Sequence, residues 1–446
     1  MELFIKIVQF FASLSLLVLV HELGHFITAK IFGVRVEKFY IFFNPWFSLV
    51  KFRIGETEFG IGWVPFGGYC KISGMIDESM DLEQMKEPPK PYEFRSKPAW
   101  QRLLIMVGGV IMNLILAICI YIGMSYAWGD EYFANEDIKY GYVFSDLGHE
   151  AGFRDGDIIL SVGGEKVEEY HRVYGTIAIK NKPVQVLRDG QTLNIDISEE
   201  MVGKMLDEKN IRGFMKPRIP FLVYAVLNDS GADKAGVMPG DSVVAVNGDK
   251  LAFHDEYSKE LAQLKGQSAD LTVARDSAGT RVFKTLNVAV SDDGLIGVEV
   301  SNQLAYYFPV RTHNYTFLQA IPAGFKRAGM EISSYWDQLK LIVKPKTGAY
   351  KSLGGFIRIG SLFGGTWDWV RFWDMTALLS IILAVMNILP IPALDGGHVL
   401  FLLWEMITGR KPGDKFMEYA QIVGLLLVFG LVLFANANDI YRLFIK

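Results

Sequence analysis

The sequence predicts a polytopic α-helical membrane protein, with a strand-rich segment behind the first span and a large mixed α/β portion between the second and third. Three observations carry this. Four runs, near Leu3–Thr28, Leu103–Trp128, Met375–Leu394 and Met417–Ala435, are apolar over the roughly 20 residues that a helix needs to cross a bilayer. Residues 130–301 instead mix polar and apolar positions, with strand-like alternation and many turn residues. Within them one pattern of turn, short apolar strand and glycine turn occurs twice, 84 residues apart. At 446 residues the chain exceeds one ordinary domain, and half of it is hydrophobic. The net charge of -4 and the lack of a basic tract give no sign of nucleic acid, and none is expected as a partner. Two cysteines, Cys70 and Cys119, cannot make a disulfide framework and read as unpaired thiols.

The first span, residues 1–28, is apolar from Leu3 to Val20 except for Lys6, Gln9 and two serines. It ends in Val20-His21-Glu22-Leu23-Gly24-His25. Histidines four apart project from one face of a helix, a spacing that suits two imidazoles gripping one Zn²⁺. Glu22 then stands where it can take a proton from an attacking water. Ionisable groups at membrane depth are costly and are usually kept for function. The segment is not expected to be a cleaved signal peptide. Its basic region is Lys6 alone, no small-x-small site follows, and a cut near Val20 would separate the span from the histidines.

Orientation follows from Lys and Arg near the span ends. One side receives Lys30, Arg35, Lys38, Arg95, Lys97, Arg102, Arg410, Lys411 and Lys415; the other receives Lys6, Lys139, Arg371, Arg442 and Lys446. The richer side is expected to be cytoplasmic, which puts both termini and the large middle portion outside. Residues 29–101 then lie on the cytoplasmic side. There Glu56–Val64, a turn at Pro65-Phe66-Gly67-Gly68, and Tyr69–Ile72 read as a hairpin. Such a hairpin is either a small cytoplasmic sheet or a sheet edge that dips toward a metal and pairs with an extended peptide. Asp77–Pro91, acidic and then proline-rich, reads as an exposed loop. The second span occupies 102–129 and ends in the interface residues Tyr126 and Trp128.

In the middle portion Ala151-Gly152, Gly156-Asp157 and Val162-Gly163-Gly164 recur as Ala235-Gly236, Gly240-Asp241 and Val246-Asn247-Gly248. Both copies resemble the turn–strand–turn signature of PDZ domains, the second more closely. The first has Asp155 where Pro is usual and Gly163 where Asn is usual. Two extracytoplasmic PDZ-like α/β domains are thus expected at 130–213 and 214–301, with a linker near Lys209–Pro220. They are expected either to bind a substrate's exposed C-terminus or to gate entry by size. Residues 302–372 connect them to the third span. Thr316–Val343 carries helix-like apolar spacing, and Gly354–Phe372 is rich in Gly, Phe and Trp, either interfacial or packed as a loop.

Two histidines leave a catalytic zinc short of its usual three protein ligands, so a third is expected at the same depth. The third span, 373–398, ends in Asn387-Ile-Leu-Pro390-Ile-Pro392-Ala-Leu394-Asp395-Gly396-Gly397-His398. It runs in the same direction as the first, so Asp395 reaches the same edge as the histidines. Pro390 and Pro392 interrupt the helix, and Gly396-Gly397 permit close backbone approach. The fourth span is expected at 414–436.

A membrane-embedded His-Glu-x-x-His, tandem PDZ-like repeats and a late Asn-x-x-Pro-x-Pro-x-Leu-Asp-Gly-Gly resemble the site-2 protease family of intramembrane zinc metalloproteases, over nearly the whole chain. Order and spacing resemble its bacterial regulator-of-sigma-E-protease branch. The resemblance implies His21, His25 and Asp395 as ligands of one Zn²⁺, Glu22 as catalytic base and a supporting role for Asn387. It also matches Gly60–Ile72 with a membrane-reentrant β-hairpin loop, which makes Gly60, Gly62, Gly67, Gly68 and Tyr69 candidate substrate-binding residues. One departure is Gly354-Gly355-Phe356, where the family often has Gly-Pro. The expected activity is metal-assisted hydrolysis of a peptide bond, with Asn387 donating to the developing oxyanion. Expected partners are the lipid bilayer, single-span membrane substrates such as anti-sigma factors or signal-peptide remnants, and an upstream site-1-type protease. The expected location is a bacterial inner membrane, with the active site near the cytoplasmic side and the repeats in the periplasm. His398 reads as a packing or supporting residue rather than a fourth ligand; His149, His171, His254 and His313 read as surface or core residues. A membrane-anchored PDZ scaffold is the alternative from another class, and Glu22 argues against it, because a scaffold has no use for the base. A tethered protease of soluble substrates is the third reading.

Overall fold

The computed structural model describes residues 1–75, 88–207, 213–277 and 279–445. The loop expected at Asp77–Pro91 lies outside the described residues as far as residue 87, and so do residues 209–212 of the expected linker. The described chain forms two compact units. One comprises Met1–Gly129, Asn314–Lys340 and Tyr350–Lys446, the other Asp130–His313 and Leu341–Ala349.

The first unit is built on α1 (Glu2–Ile31), α2 (Ala99–Trp128), α3 (Phe317–Ile342, in this unit up to Lys340), α4 (Trp369–Ile388), α5 (Asp395–Thr408) and α6 (Asp414–Ile445). Four of its helices are long and apolar enough to cross a membrane: α1, α2, α4 and the Lys415–Arg442 stretch of α6. α2 packs against α1, α4 and α5. Its Tyr121 and Met124 share an apolar core with Ala377 and Ile381 of α4 and Ala328 of α3. The segment expected as one span over 373–398 holds two helices. α4 stops at Ile388, because Pro390 and Pro392 lack the amide hydrogens that would continue it. The chain turns through Leu389–Leu394 and begins α5 at Asp395.

Four strands follow α1: β1 (Val36–Phe43), β2 (Val50–Ile54), β3 (Thr57–Ile61) and β4 (Val64–Ile72). Their order is β2-β3-β1-β4, with β1 and β3 parallel and the other pairs antiparallel. This corrects the expected hairpin. The hairpin in the sheet is β2–β3, turning at Gly55-Glu56, while Pro65–Gly68 lies inside β4, where Gly68 pairs with Ile41 and Pro65–Gly67 fall in the register shift between that pair and Phe43–Val64. β4 is an outer strand, where a proline costs no ladder bond, so Pro and Gly there do not force a turn.

The second unit has two apolar cores. The first gathers Ile138, Phe153, Ile159, Val173, Val186 and Phe214 with Phe308, Leu341 and Ala349 from later in the chain. The second gathers Phe221, Val243, Tyr257, Leu271, Val273 and Val288. Part of the expected linker is a strand instead: Met215–Pro217 pairs with Tyr142–Phe144, and Phe214 is wholly buried in the first core, past the boundary expected at 213. In both copies the aspartate of the Gly-Asp pair is buried under an arginine of the neighbouring strand. Arg188 grips Asp157 through Nε and Nη2, each at 2.7 Å, and donates to Gly152 O at 2.9 Å. Arg275 grips Asp241 and Gly236 O at the same three distances. The Asn247-Gly248 turn has φ of +49° and +90°, the left-handed pair that a two-residue hairpin turn requires.

Asp241 is fully buried, so Arg275→Met strands an uncompensated charge. We expect a loss of about 3–5 kcal/mol, the cost of breaking a buried pair from one side, read by pulse proteolysis in urea. The double variant Arg275→Met/Asp241→Asn should recover most of it.

Candidate metal centre

His21 and His25 lie toward the C-terminal end of α1, one turn apart, and both are buried. The ring of His25 is fixed by Nδ1–H donating to the carbonyl of Ile105 in α2 at 2.9 Å. A carbonyl only accepts, so the proton sits on Nδ1 and the Nε2 lone pair is free. α1 reaches α2 this closely because Gly24 of α1 faces Gly108-Gly109 of α2, where a Cβ on Gly24 would stand 2.3 Å from Gly108 O. A Cβ on Gly109 would stand 2.5 Å from His25 Nε2 and 2.6 Å from His21 Cε1, inside the rings' own space.

Asp395 arrives from the other side, at the first turn of α5, where the helix dipole favours a carboxylate. Three features hold it there. The 389–394 turn folds back over the start of α5, so closely that a Cβ on Gly396 would meet Leu389 O at 2.0 Å and one on Gly397 would meet Pro392 Cα at 2.6 Å. Ala393 takes φ of +79°, a conformation that costs a non-glycine residue about 1–3 kcal/mol and tends to cluster at functional sites. Further along α5, Glu405 accepts a 2.6 Å bond from buried Arg102 of α2, tying the helix to the histidine-bearing side of the unit.

His21 Nε2, His25 Nε2 and Asp395 Oδ2 form a triangle with sides of 3.3, 3.2 and 3.4 Å. Ligands about 2.0–2.2 Å from a tetrahedral zinc stand roughly 3.3–3.5 Å apart, so the three atoms fit that ion. Asp395 Oδ2 is buried, faces both imidazoles and has no hydrogen bond. Among the described residues this is the one group of three His, Cys, Asp or Glu side chains with metal-binding proximity. His149 and His171 contact Asp155 and Glu169, and His254 packs on Phe221.

The triangle opens into a cavity of about 610 Å³ lined by Glu22, Asn387 and His398, by Gly67–Ile72 of β4, and by Gln421 of α6. Asn387 Nδ2 is 3.3 Å from His21 Nε2. Glu22 is bonded to the backbone of Cys70, so the outer strand of the sheet and the candidate base meet directly. Gly68 permits this contact, since a Cβ there would stand 2.6 Å from Tyr40 O and 2.7 Å from Val18 Cγ1. Tyr69 lines the cavity and stacks on Tyr40, with ring centroids 5.3 Å apart. Gly67, Gly68 and Tyr69 of the expected substrate-binding set are thus brought to the triangle. Gly60 and Gly62 are not among the lining residues; they pack against Tyr40 and Phe43.

Sequence reasoning missed what α2 supplies: the Ile105 carbonyl, Gly109, and Asn113, whose Nδ2 is 3.2 Å from His21 Nδ1. Asn113 carried a legible signal, as an amide alone in an apolar span beside Gly108-Gly109.

The model of peptidase family M50 matches residues 9–431. The regulator of sigma E protease of Haemophilus influenzae is 28% identical over 454 residues, which cover 98% of each chain. A Neisseria meningitidis protein, provisionally described as a zinc metalloprotease, is 29% identical over 98% of this chain and 99% of its own. A Clostridium perfringens protein with the same provisional description is 28% identical over 96% of each chain. The chain belongs to peptidase family M50, the site-2 protease family of intramembrane zinc metalloproteases, and zinc is its cofactor.

Proposed function

We propose that the chain cuts transmembrane segments of single-span membrane proteins in a bacterial inner membrane, as an endopeptidase acting in regulated intramembrane proteolysis. The observation that carries this reading is one cavity holding both a zinc-fitting triangle and the outer strand of a sheet. A transmembrane helix hides its amides in its own hydrogen bonds, so a protease must hold it unwound. The edge of β4 offers backbone groups to an extended segment beside Glu22, and β-strand addition holds a peptide in that form.

His21, His25 and Asp395 hold the zinc, which when bound supplies Lewis-acid polarisation of a carbonyl and makes water more acidic. Glu22 takes the proton of the attacking water and delivers it to the leaving amine. The Asn387 amide donates to the oxyanion that develops on the scissile carbonyl. Gly67, Gly68 and Tyr69 position the extended substrate.

The resemblance of the two copies in the second unit to PDZ domains, and the matched Arg188–Asp157 and Arg275–Asp241 pairs, support reading them as tandem PDZ-like domains. The lysine and arginine bias at the span ends supports a periplasmic location for them and a cytoplasmic-side active site. The name of the Haemophilus relative favours anti-sigma factor substrates, trimmed first by a site-1-type protease; signal-peptide remnants have the same single-span chemistry.

Purified enzyme in detergent or liposomes should cut a model single-span substrate and leave casein intact. Equal cleavage of casein would sink the intramembrane reading. Prolines placed in the substrate stretch that pairs with β4 should lower cleavage about tenfold or more, because each removes a ladder donor, with the zinc content unchanged.

A further inference from the structure

Asn113 is the one polar side chain on the middle turns of α2 that points at the metal triangle. It is wholly buried. Its backbone oxygen accepts a 2.8 Å bond from Ser380 Oγ of α4, which pins this turn of α2. Its side-chain Nδ2 is 3.2 Å from His21 Nδ1, and its Oδ1 is buried with no hydrogen-bond partner. His21 has no second partner for Nδ1 among the contacts of the described residues, whereas His25 has the Ile105 carbonyl at 2.9 Å.

When Nε2 of a neutral imidazole binds a metal, its proton resides on Nδ1. Nδ1 is then a donor, and a facing amide NH₂ would set donor against donor. A half-turn of the Asn113 amide exchanges its oxygen and nitrogen without other movement, since the two ends are nearly equal in size. The geometry points to Asn113 as the positioning residue for His21. Its amide oxygen accepts from Nδ1–H, fixes the ring's tautomer and plane, and aims Nε2 at the zinc, as the Ile105 carbonyl does for His25. The two ligand histidines thus take different acceptors from one helix. One is a backbone carbonyl that no substitution removes; the other is a side chain that a single substitution deletes.

This inference rests on zinc being held by His21, and the test separates the two. Zinc affinity is measured by metal analysis after dialysis against a graded series of chelator, for the parent, Asn113→Leu and Asn113→Asp in the full-length protein. Asn113→Leu keeps the shape and removes the acceptor; Asn113→Asp keeps an acceptor and removes the amide donor. We expect Asn113→Leu to weaken zinc binding about 10–100-fold, the usual cost of deleting a partner that orients a ligand. Asn113→Asp should stay within about threefold of the parent or bind more tightly, because a carboxylate accepts well from a metal-bound imidazole's N–H. Parental zinc affinity in Asn113→Leu, or a loss in Asn113→Asp as large as in Asn113→Leu, overturns the assignment. Should Asn113→Leu fail to fold, Asn113→Asp decides alone: retained zinc supports the acceptor role, and lost zinc overturns it. A parent that binds no zinc would instead overturn the metal centre itself.

Discussion

Glu22→Gln should lower cleavage of a transmembrane substrate by at least about 10³-fold while leaving one zinc per chain. General acid–base catalysis contributes about 10²–10⁴ in rate, and here one carboxylate serves both the attacking water and the leaving amine. A thousandfold loss is about 4 kcal/mol of transition-state stabilisation. The substitution is almost isosteric, and Glu22 is not a corner of the His21–His25–Asp395 triangle, so the metal should stay. The glutamine keeps an oxygen that can accept from the backbone at Cys70, so the junction between α1 and β4 should hold too. Metal analysis, a cleavage time course and substrate co-purification check the three parts. A variant that still cuts at a tenth of the parental rate would remove Glu22 as the base. One that has lost its zinc would make Glu22 part of the metal's support instead.

The parts of this site that were legible in sequence are those set by local spacing. An i, i+4 pair on a helix states its own geometry, so His21 and His25 could be read directly, and span direction brought Asp395 to the same edge. The tertiary features were not legible in that way. Pro65, Gly67 and Gly68 have turn chemistry, and at an outer strand the same residues are tolerated, so a strand was read as a turn. The parallel β1–β3 pairing depends on contacts that no local pattern announces. α5 was hidden because its first residues include Gly396-Gly397, which are poor helix formers. The packing of the 389–394 segment against these glycines overrides their weak helix propensity. The contribution of α2 depended on its rotation about its own axis, and a nearly uniformly apolar helix carries little pattern to fix that.

Asp395→Ala should cost more than a hundredfold in zinc affinity and, with it, all measurable proteolysis at ordinary zinc concentrations. Losing a partner that only orients a ligand costs about 10–100-fold, and removing a ligand outright exceeds that. The fold should survive the change. α5 stays tied to α2 by the Arg102–Glu405 pair, and the 389–394 turn stays packed on Gly396 and Gly397. The variant also removes a carboxylate that stands 3.2 and 3.4 Å from the two imidazoles, so the metal-free variant should unfold somewhat more readily than the metal-free parent while keeping a cooperative transition. Chelator competition reads the affinity, and thermal unfolding of the metal-free forms reads the fold. His398 offers a nearby substitute, three residues along α5 and also lining the cavity. If Asp395→Ala kept zinc at the parental affinity, Asp395→Ala/His398→Ala would show whether His398 had been the third ligand. Loss of zinc only in the double variant would move the metal toward His398. Loss already in Asp395→Ala, unchanged by the second substitution, leaves the ion where the 3.2 and 3.4 Å approaches of Asp395 to the two imidazoles converge.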